Sequence, residues 1–504
     1  MEHIPLDIHR LIFNLLNFPT QINFTCLTPY IKNNITITNL FDTKYAKNLN
    51  NKIIKQDKFT TLTKLNICNR KVTDISSMTN LTKLHMCEMS ATTNLNHLVN
   101  LKQLDVSTVN ISQESITNLN LTKLIARNSV GIINLNHMTN LKILDALYSI
   151  IRQSGIRKLN LVKLIANKYI SNVNHMTNLK ILYARDNAAI NQAGIMKLDL
   201  EELYVNSNKK IKNVNHMSHL KILEAGFACG IDQTGIADLN LIKLYANGNS
   251  KIVDVKHMKK LKTLEAEYAC GISQYGIKGL NLEELKFCGN EKIFSIKQMK
   301  NLKTIALNRY IDIGDLNLSV LYFYGHRRKF QIGHMDNLRT LHLTYSNIND
   351  SDINKLNLVE LSLFGNNGVT NLNHMSNLKI LEISKMESIN DFGIKDLDLI
   401  SLKTNYNPNI TDLNHMTNLK ILHARGTKGT SGITQAGIKK LNLVELDVSD
   451  NTKIKNLNHM SNLEKLIAKD ESAISPKSIK KLNIITLIIM GNPNFENYYA
   501  HMRG

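Results

Sequence analysis

Histidine is the residue whose recurrence first invites a chemical reading. His97, His137, His175, His216, His257, His334, His374, His415 and His459 occupy one repeated position, mostly within Asn-His-Met. Imidazole is the commonest metal ligand, and zinc needs its nitrogens within about 2.1 Å of one ion. Neighbouring copies are roughly forty residues apart, with another strand unit between them. Strands stack at ~4.8 Å, so neighbouring histidines stand at least ~10 Å apart. They cannot share an ion, and a turn-stabilising role is expected instead. No metal site and no cofactor site is expected.

The other reactive residues point the same way. Cys26, Cys68, Cys87, Cys229, Cys270 and Cys288 contain no Cys-x-x-Cys pair. That argues against a disulfide framework and a zinc ribbon, and fits a reducing compartment. Cys68, Cys87 and Cys288 fall at an outward strand position, but no sequence signature pairs them with a base. There is no phosphate-binding glycine loop and no Gly-x-Ser-x-Gly. An enzyme is not expected.

The elements that carry these residues repeat. Across 504 residues (57.1 kDa), TNLKIL recurs at 139–144, 177–182 and 417–422. Aligning on Leu-x-x-Leu gives 22 starts, from Leu62 to Ile484, mostly 20 residues apart. In Leu443-Val-Glu-Leu446-Asp-Val448-Ser-Asp-Asn451, the alternation of Leu446 and Val448 with polar residues predicts a half-buried strand. Asn451 follows where the strand must turn, as do Asn208, Asn249, Asn290, Asn366, Asn407 and Asn492. Stacked copies should form a ladder of side chains bonding free backbone groups. Ile454, Leu457 and Met460 then step by three, which suits a tight or 3₁₀ return.

The repeats alternate between two sorts. One ends in Leu-Asn-His-Met. The other carries Ile-x-Gln-x-Gly-Ile-x-x-Leu, as at Ile190–Leu198, Ile231–Leu239, Ile272–Leu280 and Ile433–Leu441. This pattern resembles the cysteine-containing subclass of leucine-rich repeats, and Ile389-Asn-Asp-Phe-Gly393-Ile394 is close to its wording. The resemblance implies an α/β solenoid with one curved parallel sheet, over 62–491. It implies a short C-terminal tail at 492–504.

Residues 1–45 read differently. Ile8, Leu11, Ile12, Leu15 and Leu16 form one apolar helical stripe. Ile4-Pro5-Leu6-Asp7-Ile8, followed by Ile12, Phe13 and Leu16, resembles the opening of an F-box. A helical cap on the solenoid is the alternative. The F-box resemblance implies a small helical module at 1–45, then a connector at 46–61. It implies that Pro5, Ile8, Ile12, Phe13 and Leu16 dock on the adaptor protein of a cullin–RING (SCF-type) ubiquitin ligase. The Asn/Lys/Ile-rich composition is similar to that of leucine-rich-repeat proteins from giant amoeba-infecting viruses, which implies a host-cytoplasmic setting. No signal peptide and no transmembrane segment is read, so a cytoplasmic, monomeric chain is expected.

Charge tests the remaining partner classes. The chain carries 62 Lys+Arg against 41 Asp+Glu, a net charge of +21. On the sheet face expected to be concave, eleven carboxylates nearly balance twelve Lys/Arg. The excess therefore lies on the rim and back, whereas a nucleic-acid groove would concentrate it. Between Leu179 and Leu285 that face carries Tyr183, Glu202, Tyr204, Glu224, Tyr245, Glu265, Glu267 and Glu284. Tyrosine is favoured at interface centres. An acidic–aromatic patch that holds a basic segment of a target protein is the expectation. Tyr322 and Tyr324, with His326, Arg327 and Arg328, follow an unusually short step from Leu302 to Leu318. A long step, Leu419 to Leu443, inserts a Gly-rich loop. Either could be a recognition element. A scaffold with no ubiquitin role and a polyanion binder using the basic ridge are the alternative functions.

Overall fold

The computed structural model describes residues 37–41, 51–54, 59, 61–68, 72–87, 94–314, 316–325, 332–426, 430–482 and 484–495. Two compact units divide at Leu241/Ile242. In the first, strands from Asn39–Leu40 to Ile222–Glu224 each pair in parallel with the next. In the second, strands from Lys243–Tyr245 to Thr486–Ile488 do the same. Each unit is a parallel-sheet solenoid of the leucine-rich-repeat kind, with helices reduced to single turns such as Asn51–Ile54 and Asp350–Ile353.

Three local rules build each turn of the solenoid. The first is the strand. Its central leucine pairs with the next repeat's leucine, as in Leu182↔Leu203↔Leu223, and these are fully buried. A carbonyl before each strand accepts two N–H groups from the next repeat: Lys180 O takes those of Glu201 and Glu202 at 2.9 and 3.0 Å.

The second rule is a left-handed residue four places after the strand's central leucine. Gly248, Gly289, Gly365 and Gly491 take it at φ between 66 and 77°. Asn128, Asp186 and Asp450 also take it, but so do Tyr148, Phe227, Tyr268, Tyr345 and Tyr406. Bulky side chains are costly in this region. The next repeat holds the turn regardless: the Tyr406 N–H donates to Arg425 O at 2.8 Å, and the Asp186 N–H to Asn206 O at 2.8 Å.

The third rule is the asparagine ladder. Asn208 Nδ2 donates to Ala184 O (2.7 Å) and Ile190 O (3.1 Å), while its Oδ1 accepts the Lys210 N–H (2.9 Å). Asn290, Asn451 and Asn492 repeat the pattern. The short repeat after Leu302 lacks this asparagine. There Arg309 reaches back to the carbonyls of Glu291 and Ile293.

The return segments follow the two sorts of repeat. Ile-x-Gln-x-Gly-Ile repeats form 3₁₀ turns at Gln153–Ile156, Gln192–Gly194 and Ala436–Ile438. Their glycine is required because a Cβ at Gly155 or Gly437 would collide with the carbonyl of Ile133 or Thr411. Gln153 clamps the neighbour, its Oε1 accepting the Ser171 and Asn172 N–H groups at 3.0 and 2.9 Å.

The sheet begins before residue 62, and the packed solenoid continues past 491. Asn39–Leu40 pairs in register with Lys64–Leu65, and Thr38 O accepts the N–H groups of Thr63 and Lys64, the same two-donor pattern as later repeats. Ile37-Thr-Asn-Leu40 is thus an earlier Leu-x-x-Leu unit, inside the stretch assigned to the helical module. At the other end Asn492 joins the ladder and Phe495 is fully buried. Pro5, Ile8, Ile12, Phe13 and Leu16 lie outside the described residues, as do His326, Arg327 and Arg328.

Candidate binding face

The histidines sit where a turn needs them. His137 Nε2 lies 3.1 Å from Ile116 O, and His175, His216, His374 and His459 make the same contact with the preceding repeat. A carbonyl only accepts, so Nε2 carries the hydrogen. Among the described residues no cluster of His, Cys, Asp or Glu could hold a metal ion.

The open face of the sheet, away from the leucine core, carries the tyrosines and carboxylates. In the first unit, register places Tyr183, Tyr204 and Glu224 side by side, with Glu202 between Ile181 and Ile222. All four are half-buried. The Tyr183 and Tyr204 rings stack at 4.1 Å with 6° between their planes. The Arg185 guanidinium lies 5.2 and 5.3 Å from them and forms an ion pair with Glu224. Asn206 also donates to Glu224. The Tyr204 hydroxyl donates to Glu202 at 2.8 Å. Burial first, then that carboxylate, holds the Tyr204 phenol well above the usual range, so it remains a donor.

In the second unit, Tyr245, Glu265 and Lys286 share one row, and Thr263 and Glu284 share another. Lys286 Nζ bridges Glu265 (2.9 Å) and Glu284 (3.1 Å). Burial works against its charge, but the two carboxylate hydrogen bonds overcome it and raise its pKa. Glu267 is pushed up by burial, partly offset by a hydrogen bond from Cys288. The Cys288 thiol is pushed up to about 12, by burial and then by the Glu267 charge. A thiol so protonated is a poor nucleophile. Cys229 and Cys270 are fully buried. Further along, Tyr322 meets His342 edge-on at 4.8 Å and Tyr324 lies 6.5 Å away.

The structure therefore brings the expected residues to one face of each unit. It also shows what sequence reading missed: the counter-charges. Glu224 is matched by Arg185, and Glu265 and Glu284 by Lys286. Lys286 was visible as an open-face position, but which carboxylates it serves depends on register.

No family model matches the sequence, and no curated protein matches it. Solved structures are similar at low identity. The TLR13–ssRNA13 complex shares 17% identity, over 87% of this chain and 69% of that one, with a TM-score of 0.34. The functional domain of InlJ from Listeria monocytogenes, with its cysteine ladder, shares 15%, over 73% and 75%, at 0.29. The LRR ectodomain of the receptor kinase GASSHO1/SCHENGEN3 from Arabidopsis thaliana shares 14%, over 90% and 71%, also at 0.29. Among the described residues no helix is long and apolar enough to cross a membrane.

Proposed function

We propose that this chain is a protein-binding scaffold whose open sheet face holds a partner, with catalysis left to other proteins. The supporting observation is the half-exposed tyrosines and carboxylates on the open face of each unit, braced by side chains of the same or nearby strands. Braced aromatic and charged groups have little side-chain freedom left to lose on binding, which favours affinity. On the open face from Lys243 to Cys288, Glu265, Glu267 and Glu284 outnumber Lys243 and Lys286, so that stretch suits a basic segment of the partner. Tyr245, Tyr322 and Tyr324 would supply its apolar contacts.

The finer reading is a substrate-recognition subunit of a cullin–RING ligase. It is supported by Ile4, Pro5, Asp7, Ile8, Ile12, Phe13 and Leu16, in the order of an F-box opening. The chain would then contribute proximity between target and ligase.

The test is capture of the purified ligase adaptor by the full chain and by one lacking residues 1–36. That deletion spares the first strand, whereas removing 1–45 would strip Asn39–Leu40 from the sheet. Capture lost with the deletion supports the ligase role. No capture by a folded full chain leaves a scaffold without it. For the scaffold itself, Glu265→Lys with Glu284→Lys should release partners that the native chain retains; equal retention would remove the second-unit face from the reading.

A further inference from the structure

The first unit carries a cavity of about 880 Å³ at the open face and its rim, lined by Arg127, Tyr148, Ile165, Tyr169, Tyr183 and Arg185 among others. Its chemistry differs from the carboxylate-rich stretch of the second unit.

On the strands beneath and beside it, isoleucines alternate in register with Lys123, Asp145, Lys163 and Tyr183, and Ile165 lines the cavity itself. Ile125, Ile143, Ile165 and Ile181 lie half-exposed on successive strands. On its rim Tyr148 is 71% exposed and sits at φ 56°. The equivalent place is glycine or asparagine in several other repeats, where the conformation costs least. Tyr148 has no hydrogen bond or ring contact among the described residues. A bulky aromatic is thus presented to solvent against the backbone's preference. Such outliers cluster at functional sites.

Charge gives the occupant. From Lys123 to Arg185, the open-face positions carry four cations (Lys123, Arg127, Lys163, Arg185) and one carboxylate, Asp145. Asp145 is already used: it accepts Arg127 Nε at 2.5 Å and the Leu147 N–H at 3.2 Å. Arg127 keeps its two terminal nitrogens, Lys123 has no partner among the described residues, and Lys163 only overlies the Tyr183 ring at 5.0 Å. The unmet electrostatic demand is for anions, while the isoleucines need aliphatic or aromatic contacts.

We infer that this cleft and the strand face beside it bind an acidic, apolar-studded peptide segment of a partner protein, with carboxylates on Arg127 in the cleft and on Lys123 and Lys163 on the adjoining strands. Its apolar side chains lie on the isoleucine floor against Tyr148 and Tyr183. A nucleic acid would leave that aliphatic floor unused. The inference rests on the reading of the open face as protein-binding, but concerns a different stretch and the opposite charge.

A random-peptide display library selected on the full chain tests it. Survivors are then titrated by fluorescence anisotropy against the native chain, Tyr148→Gly, Lys163→Gln and Glu265→Lys, with oligothymidine in parallel. Glycine suits the left-handed turn, so Tyr148→Gly keeps the fold. Support is enrichment of Asp/Glu-plus-apolar sequences whose binding weakens about tenfold or more in both first-unit variants and is unchanged in Glu265→Lys. Enriched basic sequences that respond only to Glu265→Lys overturn the cleft and leave the proposed function standing. Oligothymidine binding more tightly than any peptide, with the same dependence on Tyr148 and Lys163, overturns the peptide assignment. No enrichment at all overturns both.

Discussion

Tyr183 and Tyr204 stand on adjacent parallel strands with ring centroids 4.1 Å apart, and the Arg185 guanidinium lies within 5.3 Å of both. The register Tyr183↔Tyr204 makes this stack possible. It turns two flexible side chains into one fixed platform. Tyr204→Ala should weaken capture of any partner on this face by about tenfold or more, as for a central aromatic anchor. Tyr204→Phe keeps the ring and loses the hydroxyl's interactions with Glu202 and Tyr183, so capture should stay within about threefold. Equal effects from the two variants would show that the hydroxyl, and not the platform, matters.

Asn208 is 1% exposed and satisfies Ala184 O, Ile190 O and the Lys210 N–H. Asn208→Ala leaves two buried carbonyls, those of Ala184 and Ile190, without this donor, and the Lys210 N–H at a more exposed place without its acceptor. The expected loss is about 2 kcal/mol or more. Stacked repeats need not unfold as one unit, so native-state hydrogen exchange in the repeat from Leu200 is the measurement to make. Asn215 also bridges repeats, through Thr234 O and the Asp238 N–H, but at an exposed site. Water can replace those bonds, and Asn215→Ala should cost about 1 kcal/mol or less.

The contrast between those two asparagines bears on what could be read from sequence. The ladder is a local rule repeated at fixed spacing, so Asn208, Asn290 and Asn451 announce it. The histidines announce themselves in the same way. The Arg185–Glu224 pair does not, because its members are 39 residues apart and meet only once the strands are stacked in register. The left-handed aromatics were hidden for another reason. Local preference argues against Tyr268 or Tyr406 in that conformation, and the neighbouring repeat holds it through hydrogen bonds to the backbone N–H groups of both. Ile37-Thr-Asn-Leu40 was missed because it stands 25 residues before Leu62, outside the usual step.

Cys288 and Glu267 make a pH prediction. Burial and the Glu267 charge push the thiol up to about 12 from 9.0. At pH 8 its thiolate fraction should be on the order of a thousandfold below that of an ordinary cysteine. Alkylation by iodoacetamide, followed by peptide mapping, should leave Cys288 unmodified until strongly alkaline pH. Glu267→Gln removes the nearby charge and should move the onset of alkylation to lower pH. The Glu267 carboxyl is itself raised, so its contribution to stability is full below its unfolded pKa and is lost as pH rises through the folded one. Glu267→Gln should therefore be no less stable than the native chain at pH 7. Fast alkylation of Cys288 at pH 8 would show that the thiol is not held as described.

The left-handed turn offers a paired test of backbone cost. Gly289 has φ 75°, and a Cβ there would lie 3.3 Å from the Tyr268 Cα. Gly289→Ala should destabilise the second unit by about 1 kcal/mol, from the conformation and from that close approach. Tyr148→Gly runs in the other direction. It relieves a side chain held at φ 56°, and the greater freedom of glycine in the unfolded chain offsets part of the gain. The net should fall between zero and about 1 kcal/mol more stable, read as the midpoint of urea unfolding. Most exposed tyrosines would lose stability on replacement by glycine. A clear loss at Tyr148 would mean that its ring makes a stabilising contact, and its exposure to a partner would then lose its support.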